Sequence, residues 1–396
     1  MKFFNPDSLI ATIMVFILMA LFPILFSFQI FKPFQQTLED FSVTDIVFSK
    51  IRHPADVTAD TNIVIVNTEK MNSTQIARTA LMLSFHDPAV IAVGSVLDKA
   101  ERPVRQEMTA NIFAGIDNLV FAAQMTHFNE ESHAYDSLAS SPEDFIGQSA
   151  QGYTNIFINE SPAYNTARTF PPLFEAGGRR MRSFAVEAAS LYDPELTDRF
   201  LQRDMDMETI NYRGNFQKFM ILNGVDILNS EIEPSFVHGK IIVMGVVKTF
   251  DPSRRFDRMY FTPLNERYAG RTFPDMYGAV VQANIISMIL EQNFFQHMPL
   301  WLSVLISICF CYFNTVIFAY ICKRNKKWYE VISLLIFVVE SILILIATVY
   351  IFYIYNYELK LTLSLYAVAV SVLIFEVYND SVKPLLVKAY HTFKGR

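Results

Sequence analysis

The stretch "NIVIVNTEKMNSTQIARTALMLSFHDPAVIAVGSVLD", residues 62–98, decides the fold class. It opens on a β-branched run, Ile63 to Val66, that ends in polar residues, the signature of a buried strand. From Asn72 the apolar positions fall at helical spacing, with Asn72 or Ser73 placed to cap the first turn. Asp87-Pro88 then turns the chain into a second apolar run ending at Asp98. Strand, helix, strand within 37 residues predicts a parallel crossover unit.

The pattern continues in both directions. "RPVRQEMTANIFAGI" (102–116) reads as a helix with Pro103 in its first turn, and "NLVFAAQM" (118–125) as a third strand. Strands that are almost wholly apolar imply a mostly parallel sheet covered on both faces. Residues 128–170 read as irregular, with one strand at "TNIFIN" (154–159). After Gly177-Gly178 a helix is expected over "RRMRSFAVEAASLY" (179–192). Strands are expected at 208–214 and 240–247, with a short helix near 223–229. A last helix, from about Pro274, is expected to run almost directly into a membrane segment, as a stiff rod between the two.

Composition places that domain in a membrane protein. Of 396 residues, 52% are hydrophobic and only 18% charged, and the excess is concentrated. Four segments, 9–31, 298–322, 331–354 and 361–378, are long and apolar enough to be read as spanning helices. The first is longer than the apolar region of a signal peptide and lacks a small-residue cleavage site, so it reads as an anchor. Lys323, Arg324, Lys326 and Lys327 crowd the short loop after the second segment, and Lys383, Lys388, Lys394 and Arg396 follow the fourth. Positive loops face the cytoplasm. The expected topology therefore has cytoplasmic termini (1–8 and 379–396), four spans and residues 32–297 outside the bacterial inner membrane. That region carries a net charge of −10 and the remainder +4. An acidic domain argues against nucleic acid as a partner. All three cysteines (Cys309, Cys311, Cys322) belong to the second segment, so no disulfide is expected in the outer domain.

Five stretches of the outer region, in order, also carry a likeness. They are "LEDFSVTDIVF" (38–48), "NIVIVNTE" with the helix bearing Arg78, "AVIAVGSVLD" with Asp98, "INYRG" (210–214), and "HGKIIVMGVVKTFDPSRRFDRMYFTPL" (238–264). The last is followed by "GRTFPDMYGAVVQANIISMIL", and "ARTFPPLFEAGG" matches an arginine-proline element. Together they resemble the second type of CHASE domain (CHASE-2), the extracytoplasmic sensory module of bacterial receptors, in which three membrane helices typically follow the domain. The sequence departs from that pattern at "EKMNSTQIAR", which lacks the tryptophan-proline element. The resemblance implies a sensory fold, not an activity.

In open α/β sheets ligands sit beyond the carboxyl ends of the strands. Glu69, Asp98, Lys248 and Asp251 follow predicted strands, and with Arg213 they are the candidates for a polar ligand cup. The clusters Arg179/Arg180/Arg182 and Arg254/Arg255/Arg258 are candidate contacts for an anionic partner. Asp204, Asp206 and Glu208 alternate like the start of a calcium loop, but Thr209 stands where its glycine belongs and Asn215 where its glutamate does. No metal or cofactor is implied, and no nucleophile elbow or phosphate loop marks an enzyme. Glu340 differs in kind. It lies ten residues into an apolar segment, where a charge costs roughly 2.5–3.5 kcal/mol or more unless paired or neutralised. It is a candidate contact with a partner helix or a candidate proton-responsive group, or else a protonated carboxyl bonded to Ser341, Ser333 or a neighbouring helix.

Residues 379–396 are too few to form a signalling domain. The expectation is a sensor acting through a separate membrane or cytoplasmic protein, or through a second copy of itself. The alternative is a scaffold subunit of a secretion or motility machine.

Overall fold

The computed structural model describes residues 5–26, 43–52, 57–99, 102–129, 131, 134–157, 166–229, 233–247, 259–265 and 273–394. Two compact units divide the chain: Phe48–Phe294, and Met1–Val47 together with Phe295–Arg396. The outer domain was expected over 32–297.

Helix α1 (Pro6–Phe26) belongs to the second unit. The α/β unit runs β1 (Ile63–Asn67), α2 (Ser73–Ser84), β2 (Val90–Val93), α3 (Pro103–Ala114), β3 (Leu119–Asn129), β4 (Ala134–Ser140) and β5 (Ala150–Tyr153). It continues with β6 (Leu173–Ala176), β7 (Arg179–Arg182), α4 (Phe184–Tyr192), α5 (Pro194–Leu201), β8 (Met220–Asn223), α6 (Gly224–Asn229), β9 (Ile241–Gly245), β10 (Met259–Tyr260), β11 (Met276–Tyr277) and α7 (Gly278–Leu290). Nine strands form one sheet in the order β8-β1-β9-β2-β3-β4-β6-β7, with β5 also bonded to β3. The five strands from β8 to β3 are mutually parallel, as is β5 beside β3. The antiparallel pairs are β3 with β4 and β6 with β7. The mostly parallel α/β sheet is therefore as the sequence predicts.

Alternation along the strands explains the layering. Val64, Val66, Ile91, Val93, Phe121, Ile242 and Met244 pack with Ile76, Ala80 and Leu83 of α2 and Phe113 of α3. The intervening positions, such as Ile65, Ala92, Val120 and Val243, are buried too, on the face that α4 and α7 cover. Each such Val, Ile, Leu, Phe or Met side chain contributes about 1.5–3 kcal/mol by leaving water. Asn72 caps α2 through a reciprocal box: its Oδ1 accepts the Gln75 N–H at 2.9 Å, and Gln75 Oε1 accepts the Asn72 N–H at 3.0 Å.

Five expectations change. Residues 134–140, expected to be irregular, are the strand β4, paired antiparallel with β3. The helix over 179–192 begins only at Phe184, after the Ser183 cap, and Arg179–Arg182 is the strand β7. The turn before it is Gly177-Gly178, with φ of 56° and 70°, the two positive values that a tight hairpin requires. The strand expected at 154–159 lies at Ala150–Tyr153, and 154–157 form a loop; 158–159 fall outside the described residues. Of 208–214 only Glu208–Thr209 is strand. The last helix spans Gly278–Leu290 and is not continuous with the next, which starts at Leu300. Gln292 adopts a left-handed φ of 52°, and Pro299 precedes α8, disfavouring helix at the residue before it.

The second unit contains α8 (Leu300–Arg324), α9 (Tyr329–Tyr355), α10 (Thr362–Val377) and α11 (Lys383–Lys394). Among the described residues, three helical stretches are long and apolar enough to cross a membrane: Leu300–Arg324, Lys326–Tyr355 and Thr362–Thr392. Within α1 the stretch Pro6–Leu21 counts as a shorter apolar helix, and residues 27–31 of the segment expected at 9–31 lie outside the described residues. α1 packs on α8 and α10. Polar side chains join them: Thr12 and Thr315 hydroxyls at 3.2 Å, Ser307 and Ser364 hydroxyls at 2.9 Å. Tyr378 donates to Asp7 at 2.8 Å, and Lys383 lies 2.5 Å from the same carboxylate. His297 holds the Glu358 carboxyl, 2.7 Å away, below the usual range.

Candidate functional site

Parallel strands aim their carboxyl ends at one edge of a sheet, and here β1, β2, β5 and β9 all finish there. Asn67, the last residue of β1, ties this edge together. Its Oδ1 accepts the N–H of Glu69 at 3.1 Å and of Val247 at 3.1 Å, joining the loops after β1 and β9. Gly94 N–H donates to Met244 O at 2.8 Å, joining β2 to β9.

Two concavities flank the loop after β2. One, about 250 Å³, is lined by Gly94, Ser95, Gln124, Thr154, Gly278 and Gln282 among others. Its wall includes the first turn of α7, whose N-cap, Tyr277, makes no side-chain cap bond among the described residues. Gly245 makes that approach possible, since a Cβ there would lie 2.7 Å from the Ala279 Cβ. The other, about 650 Å³, opens between α2 and α3 and includes Lys70, Asn72, Asp98, Lys99 and Arg105.

Of the residues proposed for a ligand cup, Glu69 and Asp98 lie at this edge. Asp98 is exposed in the larger cleft, and its carbonyl accepts from the Ser73 hydroxyl at 2.8 Å. Glu69 is half-buried; burial of Tyr277, together with the nearby Glu69 charge, pushes the Tyr277 hydroxyl up. Lys248 and Asp251 lie outside the described residues, as do Arg254, Arg255 and Arg258.

Arg213 is not brought to them. Its guanidinium sits beside Asp60, which precedes the first residue of β1, with Nε 3.8 Å from the carboxylate. It also donates to Ser287 Oγ at 3.0 Å and Thr58 O at 2.8 Å, and pairs with Glu291. Its backbone N–H donates to Asn284 Oδ1 at 2.8 Å. A buried arginine needs such partners to offset its desolvation. The cluster ties α7 to the segment before β1, at the amino end of the strand, whereas Glu69 follows the carboxyl end.

Of the other cluster, Arg179 and Arg180 are exposed on β7, while Arg182 reaches Ser190 at 3.3 Å and Glu187 at 3.7 Å. In the helical unit Glu340 is half-buried on α9, and its Oε2 accepts from Asn314 Nδ2 on α8 at 2.7 Å. The neighbouring helix supplies the partner; Ser333 donates instead to Glu330 O. Asn314 went unremarked in the sequence, although an asparagine inside an apolar span is itself a signal. Asn67 and Gln282 had no such signal, because only the fold makes them edge residues.

A family model described as the CHASE2 domain matches residues 13–317. No curated protein and no solved structure matches the chain.

Proposed function

The chain belongs to the CHASE2 family, and from that membership we propose that it is a membrane sensory protein that acts through a separate partner. In this reading the α/β unit lies outside the bacterial inner membrane. Four helices span it, α1 being the fourth, and both termini are cytoplasmic. The cationic loop of Lys323, Arg324, Lys326 and Lys327 supports that orientation. Catalysis, on this view, belongs to the partner.

The observation that carries the partner contact is the Glu340–Asn314 pair. α9 is the least buried of the three long apolar helices, and its outward residues include Leu335, Val338, Val339, Ile342 and Leu343. Those residues suit lipid. Glu340 does not, and polar side chains in spanning helices mark contacts and pathways.

The test is purification in mild detergent through a C-terminal tag, with wild type and Glu340→Gln in parallel. Substoichiometric recovery of a kinase or nucleotide cyclase that weakens in the variant supports the proposal. Stoichiometric recovery within a fixed envelope assembly, unaffected by the variant, replaces it with the scaffold role.

A further inference from the structure

The smaller cavity at the carboxyl edge holds an unmet hydrogen-bond requirement. Gln282 is 5% exposed, lines the cavity, and has no partner for its Oε1 among the described residues. Its other amide atom fixes the orientation. Nε2 donates to Thr154 O at 3.4 Å, and turning the amide over would set two oxygens against each other. The open group is therefore an acceptor. A buried acceptor without a donor costs about 1–3 kcal/mol.

A second feature faces the same space. α7 is a 13-residue helix whose first residues, Gly278 and Ala279, line the cavity, and its N-cap, Tyr277, makes no side-chain cap bond among the described residues. The first N–H groups of a helix lack intrahelical acceptors and carry the positive end of its dipole. Gln282 follows Gly278 by four residues, so it lies one turn further along the same face. The wall thus offers donors with positive potential at one point, and an acceptor about 5–6 Å away. Thr154 is already committed there, its hydroxyl donating to Ala123 O at 3.1 Å.

We propose that this cavity binds a small organic acid that also carries a hydroxyl or amino group. The acid accepts from the first turn of α7, and the hydroxyl or amine donates to Gln282 Oε1. About 250 Å³ is below the roughly 300–1,000 Å³ of sites for drug-sized ligands, so a metabolite of a few carbons fits better than a nucleotide. The assignment deepens the sensory reading by naming the ligand class, and it is testable without any signalling partner.

Thermal unfolding of the purified full-length protein in mild detergent is the experiment. Lactate, glycolate and serine are the probes at 10 mM. Acetate, an acid with no second donor, and propane-1,2-diol, a donor with no acid, are the controls. The expected result is a rise in midpoint of about 3 °C or more for at least one probe and less for either control. Gln282→Leu, which removes the acceptor at similar volume, should abolish the shift. Gln124→Trp, at an exposed rim position, should do the same by filling the mouth, so a folding defect at position 282 does not leave the matter open. The assignment is overturned if no probe shifts the wild type, if acetate matches lactate, or if the shift survives Gln124→Trp. Binding without loss of partner recovery in Gln282→Leu would count against the sensory reading while leaving the site intact.

Discussion

Asn314 on α8 donates a 2.7 Å hydrogen bond to Glu340 on α9, and its own Oδ1 finds no partner among the described residues. A glutamine at 340 can satisfy both atoms, accepting from Nδ2 through its oxygen and donating to Oδ1 through its nitrogen. Interhelical hydrogen bonds of this kind average about 0.6 kcal/mol. Glu340→Gln is therefore expected to melt at or slightly above the wild-type temperature in detergent, and Asn314→Leu below it. A Glu340→Gln protein that unfolds earlier than Asn314→Leu would show that the carboxylate, not the hydrogen bond, holds the helices.

Asp275 provides a pH signature in the α/β unit. Burial pushes its carboxyl up to about 6, although the Thr262 hydroxyl and N–H and the Asn265 amide bond to it and pull the other way. The folded protein then holds a proton that the unfolded chain releases. Stability from this group is greatest below about pH 4 and is lost as pH rises toward 6, by an amount on the order of 3 kcal/mol. Asp275→Asn removes the titration. Denaturant unfolding at pH 4 and pH 6 should show a difference between variant and wild type that grows with pH; identical slopes would mean the carboxyl is not proton-bound when folded.

Glycine positions separate close packing from backbone strain. A Cβ at Gly152 would lie 2.5 Å from the Phe184 Cα, so Gly152→Ala forces β5 away from the start of α4. Overpacking of that sort costs typically about 1–3 kcal/mol, and main chain cannot yield as a side-chain tip can. Gly239 has a left-handed φ of 67°, and a Cβ there would meet nothing within 4 Å, so Gly239→Ala carries only the conformational penalty, about 1–2 kcal/mol. Equilibrium unfolding should rank Gly152→Ala as the more damaging, and the reverse order would place α4 elsewhere.

Topology is the premise of the proposed function and has its own check. A cytoplasm-only reporter fused after Arg396 should be active, and one inserted at Gly147 should not. Exchanging Lys326 and Lys327 for glutamine should weaken the orientation, since the bias rests on few charges. Activity of an export-dependent reporter after Arg396 would invert the arrangement.

Residues 62–98 alone carried the crossover unit and the parallel sheet, because a buried strand and an amphipathic helix are written in spacing that spans only a few neighbours. The long apolar segments were legible for the same local reason: backbone polar groups in hydrocarbon must be satisfied within one helix. Pairings between distant segments were not. Arg179–Arg182 reads as a helix start until Gly177-Gly178 folds it back on Leu173–Ala176, and Ala134–Ser140 becomes a strand only because β3 extends past the core to receive it. Arg213 and Glu69 both stand near strand sequences, yet the tertiary structure sends one to Asp60 and the other to the opposite edge. Likewise Asn314 meets Glu340, and Gln282 meets a cavity, through contacts that no local period encodes. Hydrogen-bond partners at long range are chosen by how the layers stack, so the elements came from the sequence and the sites from the fold.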